Sequence, residues 1–98
     1  MNTYIILRRN GWATRDDLEK AASRSSRVGF DEMREKIRWV RSFITRGETS
    51  RLGLVCVYEA VDVETIREHA RLAQLPCDAI VPVCDLFLGK DDIAAVMG

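Results

Sequence analysis

No stretch of this chain approaches the roughly 18 uncharged apolar residues that a membrane-spanning helix needs, so a transmembrane reading is excluded. Net charge is missing too. Fifteen basic and fifteen acidic side chains cancel, and no large field argues for DNA, RNA or anionic lipid. Histidine is nearly absent: His69 stands alone, with no H-x-x-x-H to suggest a closed zinc site. Three cysteines, Cys56, Cys77 and Cys84, include no C-x-x-C pair, and reduced thiols in the cytoplasm are the simplest interpretation. The opening Met1-Asn-Thr-Tyr-Ile-Ile-Leu-Arg-Arg9 places its basic residues after a short apolar run, the reverse of a secretory signal. There is no G-x-x-x-x-G-K, G-x-G-x-x-G or G-x-S-x-G, so no nucleotide-binding or hydrolase fingerprint is present.

What is present is an ordinary globular balance, 47% apolar and 31% charged over 98 residues, enough for a single domain spanning 1–98 with a C-terminal tail over 89–98. The charge is unevenly spread. Residues 1–58 carry 12 Lys/Arg against 7 Asp/Glu, and residues 59–98 carry 3 against 8. In the basic half the acids are interleaved (Glu32-Met33-Arg34-Glu35-Lys36), which is the pattern of a solvated surface rather than a nucleic-acid face.

Local patterns predict the element order. Thr3–Arg8 is apolar on both faces and reads as a first strand, and Asn10-Gly11 reads as a turn. Thr14 caps a helix over Arg15–Val28, with Asp16 and Asp17 at its positive end and Leu18, Ala21, Ala22 and Ser25 at helical spacing. Asp31–Lys36 is expected to add a further turn, with Gly29 leaving the helix end open. Ile37–Arg46 and Leu52–Glu59 form a hairpin of two strands around Gly47-Glu48-Thr49-Ser50. Asp62 caps a second helix carrying Val63, Ile66, Ala70 and Ala73 on one face, and Leu75-Pro76 stops it. Ala79–Leu88 reads as a fourth strand and Asp91–Met97 as a terminal helical turn.

The order β-α-β-β-α-β is that of the α+β ferredoxin-like fold, a four-stranded antiparallel sheet in the order 4-1-3-2 with two helices on one face. Pro82 suits it, since proline within a strand belongs at an edge. Cys56 and Cys84 then sit about two strand spacings apart, ~10 Å, beyond disulfide reach. Strands one and three are apolar on both sides (Tyr4 and Ile6 against Ile5 and Leu7; Leu54 and Cys56 against Val55 and Val57), yet the helices cover only one. A second copy packed sheet on sheet would bury the rest, so a homodimer of dimeric α+β barrel type is expected; the alternative is that loops and tail fold across that face.

Several residues could carry chemistry. His69, at the flank of the second helix's apolar stripe, suits a metal ligand or a general acid or base near neutral pH; as a structural residue it would hydrogen-bond a nearby carbonyl. Glu59 ends a strand and could turn a carboxylate toward a cleft, or simply be solvated. Tyr4, Trp39 and Tyr58 have polar handles on large rings and could line a small-molecule pocket or merely pack. Arg8 and Arg41 alternate with apolar residues inside strands, and a guanidinium in a sheet centre needs a carboxylate or an anionic ligand. Cys56, among apolar residues, reads as an inert buried thiol.

The runs Ile37-Arg-Trp-Val-Arg-Ser-Phe43, Val55-Cys-Val-Tyr-Glu-Ala60, Ile66-Arg-Glu-His-Ala-Arg71 and Leu75-Pro-Cys-Asp-Ala-Ile-Val81, with the opening Tyr4-Ile-Ile-Leu-Arg-Arg-Asn-Gly-Trp12, resemble the bacterial "domain of unknown function 4242" family, nickel-binding protein-like. The resemblance covers roughly residues 3–87 and implies a ferredoxin-like fold, usually dimeric, in which one type of member binds nickel. Trp39, Ser42, Cys56, Tyr58 and His69 are the positions that carry over. Many members have an acid where Leu7 stands and a glycine where Gln74 stands. A nickel ion would here take His69, carboxylates such as Glu59, water and a partner subunit. Three functions follow as expectations: nickel binding through His69 and Glu59; a small-molecule site or small enzyme lined by Tyr4, Arg8, Trp39, Arg41 and Tyr58; or a structural dimerisation module.

Overall fold

A computed structural model describes residues 1–92. It runs β1 (Asn2–Trp12), α1 (Arg15–Arg27), a π-helical turn (Val28–Glu32), β2 (Ile37–Arg46), β3 (Leu52–Ala60), α2 (Val63–Ala73) and β4 (Ala79–Pro82). The strands form one antiparallel sheet in the order β2-β3-β1-β4, the ferredoxin-like arrangement expected from the element order. The terminal turn expected over Asp91–Met97 lies, beyond Asp92, outside the described residues.

Alternation along the two central strands separates the faces. Tyr4, Ile6, Arg8 and Trp12 of β1 and Leu52, Leu54, Cys56, Tyr58 and Ala60 of β3 are buried, and they share one core with Leu18 and Ala21 of α1 and Ile66 of α2. Ile5, Leu7, Val55 and Val57 point the other way and are only half-buried. On the edge strand Phe43, paired with Val55, is 56% exposed. This open face is the apolar second side that the sequence implies.

Both helices start where a side chain can accept from an otherwise unpaired N–H. Thr14 Oγ1 accepts from Asp17 N–H at 3.2 Å, and Asp62 accepts from both Thr65 N–H (2.8 Å) and the Thr65 hydroxyl (2.7 Å). α2 ends at Gln74, whose left-handed backbone (φ 58°) returns its N–H to the Ala70 and Arg71 carbonyls. That cap ends the helix directly before Leu75-Pro76, where the sequence places its stop.

Two local expectations are corrected. Asn10-Gly11 is no turn between elements: β1 continues to Trp12, and the left-handed Asn10 (φ 53°) absorbs an irregularity between Arg8 and Trp12. Asparagine tolerates that conformation, and burying Trp12 opposite Leu52 holds the strand in the sheet. β4 stops at Pro82 rather than Leu88, because β1 has almost run out: Tyr4 pairs with Pro82, and Thr3 accepts the last bond, from Val83 N–H at 2.9 Å. α1 runs on into the π turn over Val28–Glu32, and the further turn expected over Asp31–Lys36 is present, with the Lys36 and Ile37 N–H groups donating to the Met33 carbonyl at 2.8 and 3.0 Å. Cys56 stands opposite Ile6, and Ile6 opposite Ile80, so a whole strand separates Cys56 from the β4 side; all three cysteines are free.

Candidate functional site

A cleft of about 340 Å³ opens between the C-terminal end of α1, the π turn and the edge strand β2. Gly29 and Phe30 of the π turn form one wall, and Ile37 and Trp39 of β2 the other. Ser25, Tyr58 and His69 reach it from below, and Arg34 and Arg38 flank it. Its volume falls at the lower end of the range of small-molecule sites, roughly 300–1,000 Å³.

The π turn makes the space. One extra residue per turn widens the helix, an irregularity that recurs at functional positions. At Gly29 the missing side chain leaves the floor open: a Cβ there would lie 3.8 Å from His69 Nε2 and 4.0 Å from Ile37 Cγ2, ordinary contact distances.

Beneath the cleft lies a buried polar network. His69 is 1% exposed, held by α2 against the C-terminal end of α1. Its Nε2 lies 3.0 Å from the Ser25 carbonyl oxygen, which can only accept, so Nε2 carries the ring proton and donates. Ser25 Oγ is 3.4 Å from the same nitrogen and 2.9 Å from the Tyr58 hydroxyl. Burial, aided by the Arg8 cation, lowers the His69 pKa from 6.5 against the opposing pull of the Ser25 carbonyl. The imidazole is therefore neutral near pH 7. Burial also raises Tyr58 above its ordinary value, so its phenol stays protonated.

Arg8 closes the network from behind and is itself 1% exposed. Its Nη1 donates to the Pro76 carbonyl at 2.7 Å and its Cζ lies 5.9 Å from the centre of the Tyr58 ring, while Nε and Nη2 have no partner. The carboxylate that a sheet-centre guanidinium calls for is absent from its ion pairs among the described residues.

The residues singled out in the sequence are thus distributed unevenly. Trp39, Tyr58 and His69 meet at the cleft; Tyr4 and Arg8 are buried on the same sheet face without lining it. Arg41 is on the opposite face, exposed, paired with Val57. The cause is a bulge between Trp39 and Arg41, where Val40 is the extra residue; in an unbroken strand the two would share a side. Glu59 also lies on the open face, half-buried, 4.0 Å from Arg38. Ser25, Gly29, Phe30 and Arg34 are the lining residues that sequence patterns do not single out, and the only signal near them is Gly29 interrupting a helical pattern.

The donor set of the described residues of one chain does not fit a nickel ion. His69 Nε2 is protonated and engaged, Nδ1 is buried without a partner, and Glu59 is on the far side of the sheet. Among the described residues no three His, Cys, Asp or Glu side chains converge. The Arg8 cation beside His69 would in addition repel a divalent ion.

Likeness to known proteins can be set beside this geometry. The crystal structure of SCO4226 from Streptomyces coelicolor A3(2) superposes with a TM-score of 0.67 over 87% of this chain and 99% of that one, at 19% identity, a likeness of fold. No curated protein matches the chain. The family model described as "Nickel responsive protein SCO4226-like" matches residues 4–83, and the chain belongs to that family.

Proposed function

We propose that this protein is a small-molecule-binding domain whose site is the cleft between the π turn and β2. One observation carries the proposal: apolar walls from Phe30, Ile37 and Trp39 converge on the hydroxyls of Ser25 and Tyr58 beside His69, which is how most organic-ligand sites are built. Reduced thiols make the cytoplasm the fitting compartment. A second copy completes the reading by covering the open sheet face, where Ile5, Leu7, Val55, Val57 and Phe43 form an apolar surface on the side away from α1 and α2.

A screen of metabolites for raised melting temperature tests the site, because a ligand that binds only the folded state stabilises it. Gly29→Leu supplies the control. Its side chain grows from a position open to the cleft, and leucine is a better helix former than glycine. Compounds that stabilise the wild type should lose their effect on Gly29→Leu while the variant stays folded. Equal shifts in both proteins would overturn the assignment of the cleft.

The family description favours a second reading, nickel binding. Among the described residues no three donors come together, so this reading calls for ligands from a second copy. Calorimetric titration of Ni²⁺ into wild type and His69→Ala tests it, and equal heats would remove His69 from any metal site.

A further inference from the structure

We propose that the ligand of the cleft is a flat aromatic acid, its ring between Phe30 and Trp39 and its carboxylate drawn to Arg34; this rests on the cleft being a binding site. The charges around the site are of one sign. Its lining contains Arg34 and no aspartate or glutamate; Arg38 borders it, but in the register it shares the open face with Glu59. Arg38 is partly answered by Glu59 at 4.0 Å on the other side of the sheet. Arg34 has no ion pair among the described residues, and its guanidinium lies 5.1 Å from the centre of the Phe30 ring. The acids of its own segment, Asp31, Glu32 and Glu35, line a neighbouring depression that Arg34 and Lys36 also border, and none of them forms an ion pair with Arg34.

Beneath the floor the sign is the same. Arg8 is buried behind Tyr58 with two nitrogens unpaired and no carboxylate to neutralise it. His69, held neutral, adds no negative charge. The Ser25 and Tyr58 hydroxyls share a single bond, 2.9 Å long, so of their two protons one is left for an acceptor that enters. A carboxylate accepts such bonds and pairs with guanidinium in a planar fork, while a cation would be repelled by the Arg34 guanidinium. The walls choose the body. Phe30 is 65% and Trp39 46% exposed, and Trp39 is turned by its indole N–H donating to Ser42 Oγ at 2.8 Å. Two rings bordering one cleft favour a planar apolar guest.

Calorimetric titration with two probes of nearly equal shape, 2-naphthoate and 2-naphthamide, separates charge from fit. The acid should bind wild type at least about tenfold more tightly at low salt, and the preference should shrink as salt screens the exposed guanidinium. Arg34→Gln should bring the two probes to similar affinity, and Gly29→Leu should exclude both. Equal or tighter binding of the amide, abolished by Gly29→Leu, would overturn the acid assignment and leave the cleft as the site. Binding of either probe that survives Gly29→Leu would take the ligand away from the cleft altogether. Silence from both probes would overturn the aromatic-acid assignment, with the melting-temperature screen still deciding the cleft.

Discussion

His69 and Arg8 show how a residue's surroundings settle its chemistry. His69 is the only imidazole, yet its proton is committed to the Ser25 carbonyl and burial disfavours its charged form. A histidine whose folded-state pKa lies below the unfolded value of 6.5 binds fewer protons folded than unfolded as pH falls. Its contribution is therefore full above 6.5 and is lost progressively as pH falls from there through the lowered value. Urea midpoints should drop from about pH 7.5 to about pH 5.5, with a slope of at most about 1.4 kcal/mol per pH unit, and His69→Gln should flatten that window. The lowered carboxyls of Asp62 and Glu68 act in a more acidic range, below 3.8 and 4.5. Arg8 supports a second expectation. Two unpaired buried nitrogens are a cost that an apolar side chain of similar length avoids, so Arg8→Met should match or exceed wild-type stability. It should also raise the His69 pKa, read as the midpoint of the ring-proton shift in NMR, because a neighbouring cation is removed. A lower His69 midpoint in Arg8→Met would contradict the electrostatic account.

Among the elements, termini and irregularities matter more than the regular stretches. Removing the Thr14 hydroxyl leaves the Asp17 N–H without its acceptor, and Thr14→Ala should cost about 1 kcal/mol in denaturant unfolding. At the other end of the second helix, Gln74 holds a left-handed backbone that side-chain-bearing residues enter at a cost of about 1–2 kcal/mol. Gln74→Gly should therefore stabilise the domain by about 1 kcal/mol. An unchanged or lower midpoint would mean that Gln74 contributes contacts that outweigh its strain. The irregular elements define the site itself: the π turn opens the cleft, and the bulge at Val40 sends Trp39 into it and Arg41 away from it.

At the scale of the whole molecule the decisive feature is a sheet whose helices α1 and α2 lie on one side. Tyr4 and Leu54 are buried toward the helices, whereas Ile5 and Val55 are half-buried on the open face. A charge placed on the first pair enters the core, and on the second pair it enters the surface proposed to meet another copy. Leu54→Glu should fail to fold by circular dichroism. Val55→Glu should remain folded and sediment as a monomer under conditions where wild type sediments as a dimer. A wild-type protein that sediments as a folded monomer at about 100 µM, far above the micromolar dissociation constants of ordinary complexes, would mean that no second copy covers the face.

The sequence alone determined the order of elements, the helix caps at Thr14 and Asp62, the boundaries of β2, and the double-sided apolar character of the central strands. These features are written in local periods, 2 along strands and about 3.6 along helices, and in capping chemistry within three or four residues, so they are readable without neighbours. Only the tertiary structure decided the site. His69 meets Ser25 across 44 positions and Arg8 meets Pro76 across 68, contacts that exist only once strand register and helix placement are set. The bulge that parts Trp39 from Arg41 carries no glycine, and a π turn differs from an α turn by one residue of winding. A shift of one residue exchanges the faces of a strand, and so a pattern that names the right side chains cannot say which of them share a cleft.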